Sequence, residues 1–417
     1  MGRITIKAIL AREIINGRGI PAVEVEVITN NNLHGLASAP SGTSTSSHEA
    51  IDMRDGGPRF MGKGVQKAVQ NIKERIAPLV IGMDITEQQG IDQFLLELDG
   101  TPNKSNLGGN ALTAISLAVA RTAALSLEVP LYKYLGEGKA CTLPVLCPNM
   151  LSGSKTAGNE LDFEDYLIVP FGFTENREAI RAGIEVFHIL HKKLSDKFGP
   201  IPQVTALAPP LKSTTEALDI ILSAIKDAGY DGRIGLGIDV ASGLFYDEQK
   251  CTYKLKQGDL TKEDLIAYYK TLTKAYPIIF LEDGLQENDF EGFAELTQEL
   301  NCLVVGDDLF ATNKELLLKG IKNHAANAIL FKINQAGTIT EAFNTAQIAY
   351  DNNYTIISSV RSGETDDSSQ ADLAVAVGAR LMKVGAPIRG EMVTKYNRLL
   401  RIEEELGEYA DFWGKHL

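Results

Sequence analysis

"PIIFLEDGLQENDFEGFAELTQELNCLVVGDD", residues 277–308, holds two short apolar runs, each closed by acids, with a helical pattern between them. The runs are continuous rather than alternating, so each strand is expected to be buried on both faces, as in a parallel sheet covered by helices. The same rhythm recurs on either side in "IGLGIDV", "AILFKIN", "TIISSVRS" and "RLMKVG". The closing charges fall at Asp239, Glu282, Asp307, Lys332, Arg361 and Lys383, at intervals of 43, 25, 25, 29 and 22 residues. Each interval suits one strand–helix unit. With room for two more strands between about 140 and 235, the economical closure is a (β/α)8 barrel, whose chemistry gathers at the carboxyl ends of its strands.

The first third of the chain has a different pattern. "RITIKAILAREI" and "AVEVEVIT" alternate apolar and polar residues around the turn "NGRGIP", which predicts an antiparallel pair. "NALTAISLAVARTAALSL" predicts a largely buried helix, because its apolar coverage runs nearly all round. An α/β chain of two units follows: an α+β capping domain over residues 1–135 and the barrel over 136–417. "GSKTAGNELDF" and "GPIPQVTALAPPLK" are punctuated by Gly, Pro and Ser and are expected as loops.

At 417 residues and 44% hydrophobic content, the chain has ample apolar surface for a core of this size. A net charge of −13 argues against a nucleic-acid surface while leaving room for a local anion pocket. The four cysteines, Cys141, Cys147, Cys251 and Cys302, lack the short paired spacing of a zinc site or a disulfide framework. No run of about 18 apolar residues suggests a membrane span, and no signal peptide opens the sequence. A cytoplasmic location is expected, with export by an unconventional route left open.

Three carboxylates closing three strands make an oxygen set suited to Mg2+, so Asp239, Glu282 and Asp307 are the candidate ligands. The plainer alternative is that each acid pairs with a neighbouring base. Lys332 would be partly desolvated among other cations, conditions that favour an uncharged lysine and hence a base, the alternative being a salt bridge to one of the barrel acids. Lys383 is expected to stay charged and hold an anionic substrate, and Arg361, with the Ser362 hydroxyl, offers a fork for phosphate or carboxylate. "APSGTSTSSHEA", residues 39–50, is expected to be a flap over the barrel mouth that adds Ser44 as a hydroxyl ligand, the plainer alternative being an ordinary flexible loop.

These segments resemble the enolase (phosphopyruvate hydratase) family over essentially the whole chain. "AREIINGRGIPAVEVEV" is similar to the family's opening strands and "PSGTSTSSHEA" to its PSGASTGxHEA flap. "LEDG", "VVGDDLFATN", "KINQAGTITEA", "RSGETDD", "KVGAPIRGE" and "YNRLLRIEEELG" follow in family order. The resemblance implies that Asp239, Glu282 and Asp307 bind Mg2+, with Ser44 on a second ion. It implies that Lys332 takes the C2 proton of 2-phosphoglycerate, that Arg361 and Ser362 hold the phosphate, and that Lys383 holds the carboxylate. Glu164 is expected on the substrate and Asp165 to share the proton chemistry. A homodimer or a ring of dimers is also implied.

Departures from the family pattern gather on one half of the reaction. The GDEGGVAPN motif is "PQVTALAPP" here, so the acid expected to protonate the leaving hydroxyl aligns with Val204. NGGSHAGN becomes "LSGSKTAGN", placing Thr156 at a histidine position, and SHRSGE becomes "SVRSGE", placing Val360 at another. Two alternatives therefore stay open beside the hydratase: an enzyme acting on another phosphorylated or phosphonylated carboxylate, and a catalytically silent paralogue with a binding role.

Overall fold

In the computed structural model, which describes residues 3–43, 45–138, 140–256 and 258–417, the alternating segments pair as their pattern predicts. Strands β1 (Ile6–Ile15) and β2 (Pro21–Thr29) are antiparallel, and the Asn16 side chain fixes their turn by accepting the N–H groups of Arg18 and Ile20 at 2.9 and 3.1 Å. A third strand, β3 (His34–Ser38), adds antiparallel to β2. Val23, Val25 and Val27 are fully buried beneath the sheet, where helix α1 (Gly109–Ser126) crosses it. Gly35 lets the two approach closely: a Cβ there would lie 2.8 Å from the Thr122 amide nitrogen and 3.0 Å from the Ala118 carbonyl oxygen.

The second unit is a closed ring of eight strands. Around the ring run β4 (Val145–Ser152), β5 (Asp165–Val169), β6 (Gly235–Asp239), β7 (Ile278–Glu282), β8 (Leu303–Gly306), β9 (Ala328–Phe331), β10 (Thr355–Ser359) and β11 (Leu381–Val384), which pairs back with β4. The expectation of a wholly parallel (β/α)8 barrel needs one correction, because β5 runs antiparallel to both β4 and β6. The segment between β4 and β5 carries only the single helical turn Ser154–Ala157. Without a covering helix, the chain turns straight back along its neighbour. The two helices that would have followed separate strands, Asn176–Phe198 and Thr214–Asp227, come together after β5.

This reversal places residues. Asp165, the first residue of β5, sits in register with Asp239, the last of β6, so the start of one strand and the end of the other share the same mouth. The long interval between Asp239 and Glu282 is filled by a small antiparallel ribbon over Tyr246–Asp247, Thr252–Leu255 and Gly258–Leu260, followed by a helix.

The first unit reaches that mouth through the 39–50 segment. Ser41 and Gly363 exchange backbone hydrogen bonds of 3.1 and 2.9 Å, and the Ala50 N–H donates to the Gln335 carbonyl at 2.8 Å. Among the described residues no helix is long and apolar enough to cross a membrane.

The Gly35 contact is with backbone, which cannot swing aside. Gly35→Ala is therefore expected to lower stability by about 1–3 kcal/mol, read as a downward shift in thermal or denaturant midpoint.

Candidate active site

The six charged strand ends converge. Asp239 and Glu282 close β6 and β7, Asp307 and Lys332 directly follow β8 and β9, Arg361 lies just past β10, and Lys383 is within β11. None is more than 8% exposed. Together with Glu164 and Asp165 they surround or underlie a cavity of about 70 Å³ that opens to solvent.

Burying so many carboxylates is tolerable only with compensating charge. The Lys383 ammonium supplies some of it by bridging Asp239 and both oxygens of Glu282, the latter at 2.9 and 3.0 Å. Burial alone would lower the Lys383 pKa, but the carboxylates of Asp239, Glu282 and Asp165 outweigh it and hold the ammonium well above its ordinary value. Lys332 donates to Asp307, whose other oxygen accepts the Gln335 amide at 2.9 Å. The expectation that Lys332 lies among cations is thus corrected: its immediate partner is an anion. Burial pushes Asp307 up, yet Lys332, Arg361 and Lys383 together hold it below the usual carboxylate range. Glu282, fully buried and beside Asp239, is driven well above that range.

This cluster fits a hard divalent cation. Its donors are all carboxylate oxygens, with no thiol or imidazole, and the ammonium between Asp239 and Glu282 already stands where positive charge is wanted. Oxygens of Glu282, Asp283 and Asp307 lie within 4.8 Å of one another. Asp283 was not anticipated. Its two oxygens accept the N–H groups of Asp307 and Asp308 at 3.0 and 2.9 Å, so it braces the turn after β8, while Asp239 and Glu282 face the shared lysine. Ser44, the expected hydroxyl ligand, lies outside the described residues, as does the side chain of Thr156.

Arg361, expected to clamp an anion, meets the flap. Its guanidinium donates to both carboxylate oxygens of Glu49, at 2.9 and 3.1 Å, and to the Asn334 side-chain amide oxygen at 3.1 Å. Gly42 makes the flap's approach possible, since a Cβ there would fall 1.9 Å from the Arg361 Nη2. The Ser362 hydroxyl meets that of Thr43 at 2.7 Å. Val360 is half-buried, packs against the core and also lines the cavity. The flap is latched further out by Glu287, which accepts the Ser46 and Ser47 hydroxyls at 2.6 Å each.

The opposite wall joins Asp165, expected from the family resemblance, to neighbouring hydroxyls and an amide that the motifs did not single out. Asp165 accepts hydrogen bonds from the Asn149 amide and, at 3.1 Å, from the Ser152 hydroxyl. Burial pushes its carboxyl up to about 6, against the pull of Lys383. Val204, aligned with the family's acid, does not line the cavity: its N–H donates to the Ala206 carbonyl at 2.9 Å and its own carbonyl is taken by Arg389. The next residue, Thr205, does line it. Glu49, Asp283 and Gln335 lay inside quoted motifs and were legible in principle; Ser152 and Thr205 carried no distinguishing signal.

Both halves of the chain match known families. The family described as "Enolase, N-terminal domain" matches residues 6–135, and "Enolase, C-terminal TIM barrel domain" matches residues 140–417. Among curated proteins named Enolase, the chain is 49% identical to that of Methanocaldococcus jannaschii over 97% of its own length and 96% of the relative's. It is 49% identical to that of Methanopyrus kandleri over 98% and 97%, and 48% identical to that of Pyrococcus furiosus over 98% and 97%. Matched in both halves, and this similar to whole-length relatives, the chain belongs to the enolase family.

Proposed function

We propose that this chain is a carbon–oxygen lyase that reversibly dehydrates 2-phosphoglycerate to phosphoenolpyruvate, with Mg2+ held by Asp239, Glu282 and Asp307. In this reading residues 1–135 form the cap that carries the flap, and residues 136–417 form the barrel that carries the chemistry. The observation that supports it most is an opposition of groups. Lys332 follows β9 and Asp165 opens β5, four strands apart in a ring of eight, with the carboxylate cluster between them. A substrate lying across the mouth presents one face to the lysine and the other to the Asp165 wall.

A cation at the three carboxylates would supply positive charge to the substrate carboxylate and so favour the ene-diolate that forms when C2 loses its proton. Lys332, in its uncharged form, takes that proton. Asp307 and Gln335 fix the lysine's end of the cavity, so the amine meets C2 from one direction. Arg361 holds the phosphate through its planar fork, assisted by Ser362. Lys383, kept charged by its acidic neighbours, and Glu164 complete the substrate contacts. The hydroxyl at C3 departs from the far face as water, its proton supplied from the Asp165 wall.

Incubation with 2-phosphoglycerate and Mg2+ in heavy water tests the reading directly. Exchange of the C2 proton and formation of phosphoenolpyruvate are both expected, and absence of both from the unaltered chain would refute the reaction. Chelation with EDTA should stop both, and added Mg2+ should restore them.

Lys332→Ala should reduce C2 exchange by about 10²–10⁴-fold while leaving Mg2+ binding at least as tight, because it removes a competing cation from Asp307. Glu282→Gln should instead weaken Mg2+ binding, measured by calorimetry, and lower C2 exchange with it. Arg361→Lys keeps the charge but loses the fork, and should raise KM about tenfold or more.

A further inference from the structure

We propose that Thr205 is a catalytic hydroxyl that receives the C3 hydroxyl of the substrate and, in the reverse direction, aims the attacking water. The inference rests on the dehydration reading above. It starts from a chain of hydrogen bonds that runs from the cavity wall into the barrel. Thr205 Oγ1 lies 2.9 Å from Ser152 Oγ, and Ser152 donates to Asp165 Oδ1 at 3.1 Å. The Asn149 amide donates to Ser152 Oγ at 3.1 Å and also to Asp165 Oδ1.

The direction of these bonds can be worked out from the donors available. Ser152 has one hydroxyl hydrogen and gives it to Asp165, so it must accept from Thr205. Thr205 thereby gives its own hydrogen to Ser152 and turns its lone pairs toward the cavity it lines. A hydroxyl or water reaching this wall would find an acceptor. Water that donates one hydrogen to Thr205 keeps a lone pair for carbon, the orientation required for addition at C3. As that water adds, its proton passes to the Thr205 oxygen while the Thr205 hydrogen passes to Ser152 and the Ser152 hydrogen to the Asp165 carboxylate; by microscopic reversibility, the Asp165 acid returns a proton along the same chain to the departing C3 hydroxyl, which leaves as water.

The backbone keeps Thr205 at this wall. Arg389 grips the Val204 carbonyl, and the Ala386 N–H donates to the Thr205 carbonyl at 3.1 Å. Ser152 is fully buried, so its hydroxyl has no solvent alternative to these partners. The ring order places the wall across the mouth from Lys332, where a group leaving from the face opposite the base would emerge. The two hydroxyls also coincide with sequence departures: Thr205 stands at a glycine of GDEGGVAPN and Ser152 at the asparagine that opens NGGSHAGN. One hydrogen bond therefore joins two altered positions.

The test compares C2 exchange with product formation in three variants. Thr205→Val is close in shape and lacks the hydroxyl; it should cut phosphoenolpyruvate formation and the reverse hydration alike, by about 10–100-fold, while C2 exchange continues at nearly the original rate. Thr205→Ser should recover most of the loss. Ser152→Ala, which breaks the chain between Thr205 and Asp165, should show a comparable loss with the same split. Equal turnover in Thr205→Val and the unaltered chain would overturn the role of Thr205 while leaving the dehydration reading in place. So would a parallel fall in exchange and turnover. Absence of both signals in the unaltered chain would remove the reaction itself, and with it this role.

Discussion

Carboxylates in the barrel mouth repel one another and lose their hydration, and much of the surrounding structure follows from that penalty. Glu282 is fully buried, Asp239 and Asp307 nearly so, and Asp165 and Asp283 lie in the same region. An unpaired charge so placed costs several kcal/mol. The mouth answers with two lysine ammoniums, one guanidinium and a set of backbone N–H groups, each in hydrogen-bond contact with a carboxylate. Asp283 shows the neutral route: its charge is met by amides at the turn after β8. Lys383 shows the ionic one. Its position between Asp239 and Glu282 makes the same electrostatic demand visible that a divalent cation would satisfy more completely.

The single reversed strand gives the site two unlike walls. Six parallel strands, β6 to β11, deliver acids and bases through their carboxyl ends. In that arrangement an amino end would point to the far side of the barrel. Because β5 runs the other way, its first residue reaches the mouth and stands beside Asp239. The short connection that causes the reversal also leaves no covering helix before β5, so the 153–164 and 199–213 segments lie near the same rim, where Leu151 and Leu207 form a bridge. The Asp165 wall is therefore assembled from loops and a reversed strand, while the Lys332 wall is assembled from regular strand–helix turns.

The flap ties the cap to this charge balance. Glu49 occupies two N–H groups of Arg361 and also accepts the Gln335 amide at 3.2 Å, while Gln335 holds Asp307. A flap residue, the anion fork and a candidate metal ligand thus share one hydrogen-bond network. Hydrogen bonds in such a network polarise one another, so a change at Arg361 is felt at Asp307.

How much of this was legible in the sequence depended on the kind of group involved. Asp239, Glu282, Asp307, Lys332, Arg361 and Lys383 each interrupt an apolar run at barrel spacing, and a charge in that position has few places to go except the mouth. The direction of β5 left no trace, because "DYLIV" is equally apolar read either way and only the missing helix before it distinguishes the two directions. Strand β3, "HGLAS", is too short and weakly β-favouring to stand out from a loop. Thr205 and Ser152 were hidden for a related reason. Hydroxyls are common in loops, and one of them gains meaning only through what it touches. Val204 stands where the family has an acid, yet it does not line the cavity, whereas its neighbour Thr205 does.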